Sequence, residues 1–244
     1  MGAIEAPTTT SVGGRTPPGV LVSPVMADSH SELLNLYDEA GQVVGQAPRA
    51  VAKASGRAVG AVNALIVDGT GRVLLQRRPA GKENGGAWDK SVGGHVSAGE
   101  IFDQTLVREA GEELFDDPAS PAVRLAPDAA SFARLRRELD LGSAVLLRRQ
   151  GLQLNLRDVR RVPGEGGGAA ASPADVRFRI VTYHVAVYLG CTALSLPDFR
   201  PQASEITGLD YVAPAEVDRL LLRGELAPNM AFLWLSQAHA LLAL

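Results

Sequence analysis

"GGHVSAGEIFDQTLVREAGEELFD" (residues 93–116) holds six carboxylates, Glu100, Asp103, Glu109, Glu112, Glu113 and Asp116, against one arginine, Arg108, and no lysine. A solvated helix usually mixes its charges, because like charges at i,i+4 repel and opposite ones attract. At about 100° per residue, Glu113 falls about 40° to one side of Glu109 and Glu112 about 60° to the other. The three carboxylates therefore share one arc on neighbouring turns, with Cβ atoms about 5–6 Å apart. Leu106, Val107, Ala110 and Leu114 form the adjacent apolar arc, which should pack on a sheet. Glu113 borders that arc and should be partly desolvated. Ser97-Ala98-Gly99-Glu100 has the form of a capping box, which predicts a helix over roughly 98–115.

Hard divalent cations such as Mg²⁺ want oxygen ligands, and carboxylates beside a Gly-Gly loop supply them. Such a metal neutralises phosphate charge and activates water. On charge count alone, a merely solvated acidic face is an equal reading.

The flanks define the setting. "ELLNLYDEAGQVVGQAPR" (32–49) reads as a short hairpin around Glu39-Ala40-Gly41. "AVNALIVDGTGRVLLQRR" (61–78) is a clearer hairpin turning on Asp68-Gly69-Thr70-Gly71. A glycine-rich loop (79–96) returns to a short strand before the acidic helix. Further on, 128–142 reads as a helix, 152–162 as a strand and 163–175 as a Gly/Ala/Pro-rich linker. "VRFRIVTYHVAVYLG" (176–190) is a long strand of β-branched and aromatic residues, and 208–214 is a short one. Residues 214–224 and 228–244 read as helices, each with proline near its start. Strands interleaved with helices imply a mixed α/β sandwich.

Composition excludes several classes. Of 244 residues, 46% are hydrophobic and 21% charged, which is a globular profile. A net charge of −3 gives no basic footprint for nucleic acid. The one cysteine, Cys191, cannot build a disulfide framework, so a cytoplasmic, reducing setting is expected. No apolar run is long enough for a membrane span. The first thirty residues are rich in Gly, Pro, Ser and Thr, lack the pattern of a signal peptide, and are expected to be a weakly ordered tail.

The spacing Gly94, five residues, Glu100, seven residues, then Arg108-Glu109-Ala110-x-Glu112-Glu113 resembles the Nudix box, the signature of Nudix hydrolases. The resemblance implies an α/β/α sandwich with a mixed sheet over residues 31–244, opened by an N-terminal hairpin (31–55) and enlarged by an insertion (117–175). It implies hydrolysis of a diphosphate with Mg²⁺ or Mn²⁺. Carried over by position, Glu109, Glu112 and Glu113 bind metal, with the Gly93 carbonyl as a further ligand. Arg108 orients the glutamates and Glu100 supports the loop. The family draws its general base either from the box, Glu109 or Glu112 here, or from a later loop, where Glu205 is the candidate. One departure stands out. The box ends in Gly plus an apolar residue, and here those places hold Phe115 and Asp116. Phe115 adopts a positive φ only at a cost, so the helix is expected to run on until Asp117-Pro118.

"AWDKSVGGHVSAGE" (87–100) also resembles isopentenyl diphosphate isomerases, which share the fold. Those enzymes carry an acid/base cysteine immediately before the Gly-His pair, where this chain has Gly93. The reading is an isomerase-like subgroup of hydrolases without the isomerase chemistry. An isoprenoid diphosphate isomerase and a non-catalytic nucleotide-binding module are the alternatives. Arg77, Arg78, Lys82, Trp88 and His95 are candidate substrate contacts. The plainer accounts are a buried tryptophan and a structural loop histidine. Arg148, Arg149, Arg157, Arg160 and Arg161 form either a charged strand face or a lid over an anionic substrate. Of Tyr183 and His184, register decides which faces the core and which the cleft. The partner is a small diphosphate, with a homodimer left open.

Overall fold

The structure is a computed structural model that describes residues 32–162 and 177–244. The tail expected at 1–30 and the linker expected at 163–175 lie outside the described residues.

Strands β1 (Leu33–Tyr37) and β2 (Val43–Pro48) form the first hairpin, and a short helix α1 (Arg49–Ala54) leads into β3 (Ala58–Val67). β3 is the axis of the sheet. One edge pairs in parallel with β9 (Arg177–Thr192) over its whole length. The other edge is shared by β1, by β6 (Val92–His95) and, at Val67↔Val73, by β4 (Val73–Arg77). β4 also pairs with β5 (Trp88–Asp89) and β10 (Gly208–Val212). The main path runs β10-β4-β3-β9-β8-β7.

Residues following the box helix α2 (Phe102–Phe115) supply β7 (Val123–Ala126), α3 (Ala129–Glu138) and β8 (Val145–Val162). β7 and β8 are strands of the main sheet, so residues 117–162 widen it. β8 starts at Val145, earlier than the expected 152, because Val145–Arg148 pair with β7 on one side while β9 holds the other. Asp128 caps α3 by accepting the Ser131 N–H at 2.7 Å.

Period-two alternation along β3 divides the core. Val59, Leu65 and Val67 face one layer with α4 (Pro214–Leu222) and α5 (Pro228–Leu242). Val62, Ala64 and Ile66 face the other, beneath Leu106, Ala110 and Leu114 of α2. The sheet is thus sandwiched between helices, with α2 laid on one face.

Neither Tyr183 nor His184 reaches a cleft. Tyr183 joins the first layer and His184 is fully buried. The Asn155 N–H donates to His184 Nδ1 at 3.1 Å, so Nε2 carries the proton and donates to the Asp38 carbonyl at 2.7 Å.

Candidate active site

The helix starts later than its sequence suggests. Gly99 sits at φ +86°, a left-handed turn that breaks any helix running from 98, and Ile101 is the N-cap. The expected Ser97–Glu100 capping box does not form. Gln104 Oε1 instead accepts the Ile101 N–H at 3.0 Å, one half of that device moved four residues on, with no side-chain cap from Ile101. Glu100 is used elsewhere. Its carboxylate accepts from Arg108 Nε at 2.8 Å and from Thr105 Oγ1 at 2.7 Å. Burial would raise the Glu100 carboxyl, but these bonds outweigh it and hold it below the ordinary range.

Arg108 gathers the box. Besides Glu100, it reaches Glu109 Oε1 at 3.0 Å and Glu112 Oε2 at 3.0 Å. Glu109 lies over the bare Cα of Gly94, where a Cβ would stand 2.0 Å from the carboxyl carbon. Glu113, 8% exposed, accepts from Gln76 Nε2 at 2.8 Å and from the Gly93 N–H at 2.9 Å. Burial and then the neighbouring Glu113 charge push Glu109 up to about 8, against the pull of Arg108. Burial likewise pushes Glu113 up to about 7, although Gly93, Gln76 and Lys90 pull it down. Two carboxyls are therefore held in a place that penalises their charge.

The donor set suits a hard divalent ion: carboxylate oxygens beside two glycines, too little positive charge, and pKa values raised by burial. Among the described residues, however, no three His, Cys, Asp or Glu side chains already converge as a cage. The reason is visible. Arg108 engages Glu109 and Glu112, while Glu113 turns to Gln76 and Gly93.

The other expected site residues divide. Arg77 lies over the Trp88 ring, 5.0 Å from its centre, on paired strands. Trp88 is half-buried. Arg78 is absorbed structurally, donating to Asp89 Oδ2 at 2.8 Å and to the Glu83 carbonyl at 2.8 Å. Lys82 and Glu205 form an ion pair that ties the glycine-rich loop to the 200–207 loop. No hydrogen bond or ion pair among the described residues joins Glu205 to the box glutamates. His95 pairs across from Ala61, on the face away from α2, with its ring 6.0 Å from that of Tyr183. Gly93 engages the box through its N–H. Arg149 pairs with Asp103 at 2.6 Å, and Arg148 lies over the Phe132 ring. Arg157 is exposed; the side chains of Arg160 and Arg161 lie outside the described residues.

Phe115 is explained by a shift of one residue. The helix does not run on to Asp117-Pro118 but ends at Phe115, and Asp116 takes the left-handed conformation at φ 51°. Asp tolerates that region better than most residues. Phe115 can then pack on Phe199, ring centres 5.8 Å apart. The returning chain closes over Gly111, where a Cβ would meet the Asp117 carbonyl at 2.2 Å.

Among the buried polar residues that escaped the sequence reading are Gln76, a lone amide ending the apolar run Val73–Leu75, and Lys90. The Lys90 stem lies across Gly93, where a Cβ would stand 1.9 Å from Lys90 Cε. The space next to a side chain at 93 is thus taken by a lysine.

The carboxylate helix is laid on a mixed sheet with a Gly-Gly strand beneath it, and residues 57–133, which include both, match the NUDIX domain model. The relatives that the chain matches bear both names the sequence suggested. It is 43% identical over 90 residues to an uncharacterised Nudix hydrolase of Streptomyces coelicolor, covering 36% of this chain and 50% of that one. It is 34% identical over 123 residues to an isopentenyl-diphosphate Delta-isomerase of Agromyces mediolanus, covering 48% and 60%. The chain spans about half the length of the first curated relatives it matches. In fold it resembles a crystal structure of a protein from Deinococcus radiodurans, with a TM-score of 0.50 and 23% identity, covering 83% of this chain and 96% of that one. Among the described residues no helix is long and apolar enough to cross a membrane.

Proposed function

We propose that this protein hydrolyses the diphosphate linkage of a nucleoside-diphosphate derivative or a similar organic diphosphate, with Mg²⁺ or Mn²⁺. The observation that carries the reading is the set of Glu109, Glu112 and Glu113 on one arc, with Glu109 and Glu113 raised by burial and Glu109 and Glu112 sharing a single arginine. When bound, a divalent cation there supplies charge neutralisation for phosphate and a water of lowered pKa. The three glutamates hold that ion. Glu112, whose side chain is 32% exposed against 13% for Glu109, is the more accessible box residue for taking a proton from water. Arg108, anchored by Glu100, orients Glu109 and Glu112. Arg77 and Lys82 are the cations offered to phosphate, with Trp88 beside Arg77. Glu205 remains the loop alternative as base, with its partner Lys82 to be displaced first. The buried free thiol of Cys191 suits a cytoplasmic setting.

The isomerase reading draws on the names of relatives. Against it, position 93 has no thiol, and the Lys90 stem occupies the neighbouring space.

The test is a screen with Mg²⁺ and Mn²⁺ against nucleoside triphosphates, dinucleotides, nucleotide sugars, ADP-ribose, coenzyme A and isopentenyl diphosphate. Glu112→Gln and Glu113→Gln are run beside the wild type. Phosphate or nucleotide release that disappears in both variants is expected. An isomerised product, binding without turnover, or hydrolysis indifferent to both substitutions would each overturn the proposal.

A further inference from the structure

The NUDIX match begins at residue 57, yet the loop that carries Glu100 is built partly on the hairpin before it. β1 runs beside the segment leaving β6. Ala98 N–H donates to the Leu33 carbonyl at 2.8 Å, and Leu34 bridges Ser97. At the centre lies Asn35, 2% exposed. Its Nδ2 donates to the Ser97 carbonyl at 3.2 Å and to the Glu100 carbonyl at 3.1 Å. Its Oδ1 accepts the Gly99 N–H at 3.2 Å and Gln46 Nε2 at 3.3 Å. Both amide donors and both acceptor sites are used, and the partners leave no choice of amide orientation.

Three of those four bonds go to the backbone of residues 97–100. That turn, with Gly99 at φ +86°, fixes where the Glu100 carboxylate stands. Glu100 anchors Arg108, and Arg108 holds Glu109 and Glu112. We infer that Asn35, in the N-terminal hairpin outside the matched domain, is a positioning residue for the box carboxylates, acting through the 97–100 turn, Glu100 and Arg108. It touches neither substrate nor metal. This rests on the metal reading given above.

No other residue type serves as well at 35. Aspartate accepts from Gly99 but turns an acceptor toward two carbonyl oxygens, which is repulsive in a buried place. Serine is too short to span three backbone groups. Alanine leaves all of them without this partner.

The experiment uses the full chain and Mn²⁺ alone as probe. Binding is measured by titration calorimetry for wild type, Asn35→Ala, Asn35→Asp and the milder Asn35→Ser, with folding checked by circular dichroism. Thr192→Val is the control for general destabilisation, because Thr192 is a buried hydroxyl bonded to the Ala144 carbonyl away from the box. Outer-shell changes of this kind cost about tenfold or more in metal affinity. Asn35→Ala and Asn35→Ser should therefore weaken Mn²⁺ binding about tenfold, with Asn35→Asp at least as weak, while Thr192→Val stays at wild-type affinity. On a hydrolysed substrate, kcat at limiting Mn²⁺ should fall with KM little changed. Unchanged Mn²⁺ affinity in a folded Asn35→Ser, or an equal loss in Thr192→Val, would overturn the inference and leave the metal site intact. A wild-type protein that binds no Mn²⁺ would overturn the metal reading and this inference together.

Discussion

Two buried acid clusters lie close together beneath the glycine-rich loop, and they are treated in opposite ways. Asp89, 2% exposed, has Arg78 at 2.8 Å and Lys90 Nζ at 3.3 Å. Burial would raise its carboxyl, but two cations and a backbone N–H overcome that and hold it below the ordinary value. Glu109 and Glu113 are comparably shut away, yet Arg108 reaches only Glu109 of the two and serves Glu100 and Glu112 as well, while Glu113 accepts from the neutral Gln76 and Gly93 donors. Their carboxyls are pushed up. The first cluster is a completed ion pair that closes a loop. The second is short of positive charge, as the cation site proposed above would be.

That contrast can be broken by substitution. The largest effect is expected at the completed cluster. Asp89→Asn leaves the buried Lys90 and the half-buried Arg78 without their anion, and removing one partner of a buried pair costs about 3–5 kcal/mol. Urea unfolding of wild type and variant measures it, and a loss under 1 kcal/mol would show that the two clusters do not differ as described. At the incomplete cluster the signs should separate. Glu113→Gln should lower hydrolysis at least about a hundredfold, while leaving the metal-free fold as stable as wild type or more so. A variant that loses stability as Asp89→Asn does would contradict the contrast.

The pH dependence of the metal-free protein sharpens it further. Glu109 and Glu113 titrate above the ordinary carboxylate range when folded, so the folded state keeps protons that the unfolded chain has released. Their stabilising contribution is complete below that ordinary range and is lost as pH rises through about 7 and 8. Thermal melts in a chelator should therefore fall across that window, and Mn²⁺ should flatten the fall. A melting temperature that rises over the same window would refute the assignment. The smallest effect belongs to the helix end. Asp116→Gly relieves a left-handed residue and should stabilise the protein by a few tenths to about 1 kcal/mol without altering turnover. Lower stability in that variant would mean that Asp116 contributes more than its backbone conformation.

Much of this was legible in the chain. The hairpin on Asp68–Arg72, the apolar arc of α2 and the two proline-started helices follow from periodicity and turn chemistry, which are local. The arc shared by the three glutamates was legible because helical spacing alone sets it, whereas the turn of Glu113 toward Gln76 and Gly93 was not. The helix start was misplaced because Ser97 and Glu100 satisfy the capping pattern, whereas Arg108, eight residues beyond Glu100, claims the carboxylate instead. Local pattern lost to a longer-range ion pair. The fate of Phe115 depended on Phe199 and on the bare Cα of Gly111, neither of which spacing reveals. Gln76, Lys90 and Asn35 were missed. Gln76 and Asn35 are single polar residues whose partners lie on other elements, so only the register of β1, β4 and β6 exposes their roles, and Lys90, paired with its neighbour Asp89, reveals itself only by the way its stem crosses Gly93.

The central claim is that Glu109 and Glu113 are kept uncomfortable for a cation's sake. Mn²⁺ titration by calorimetry, at pH 6.5 and pH 8 in buffers of different ionisation enthalpy, measures it directly. Binding should release about one proton or more per ion at the lower pH, tighten at the higher pH, and vanish in Glu113→Gln. Binding without proton release, or binding that survives Glu113→Gln unchanged, would contradict it.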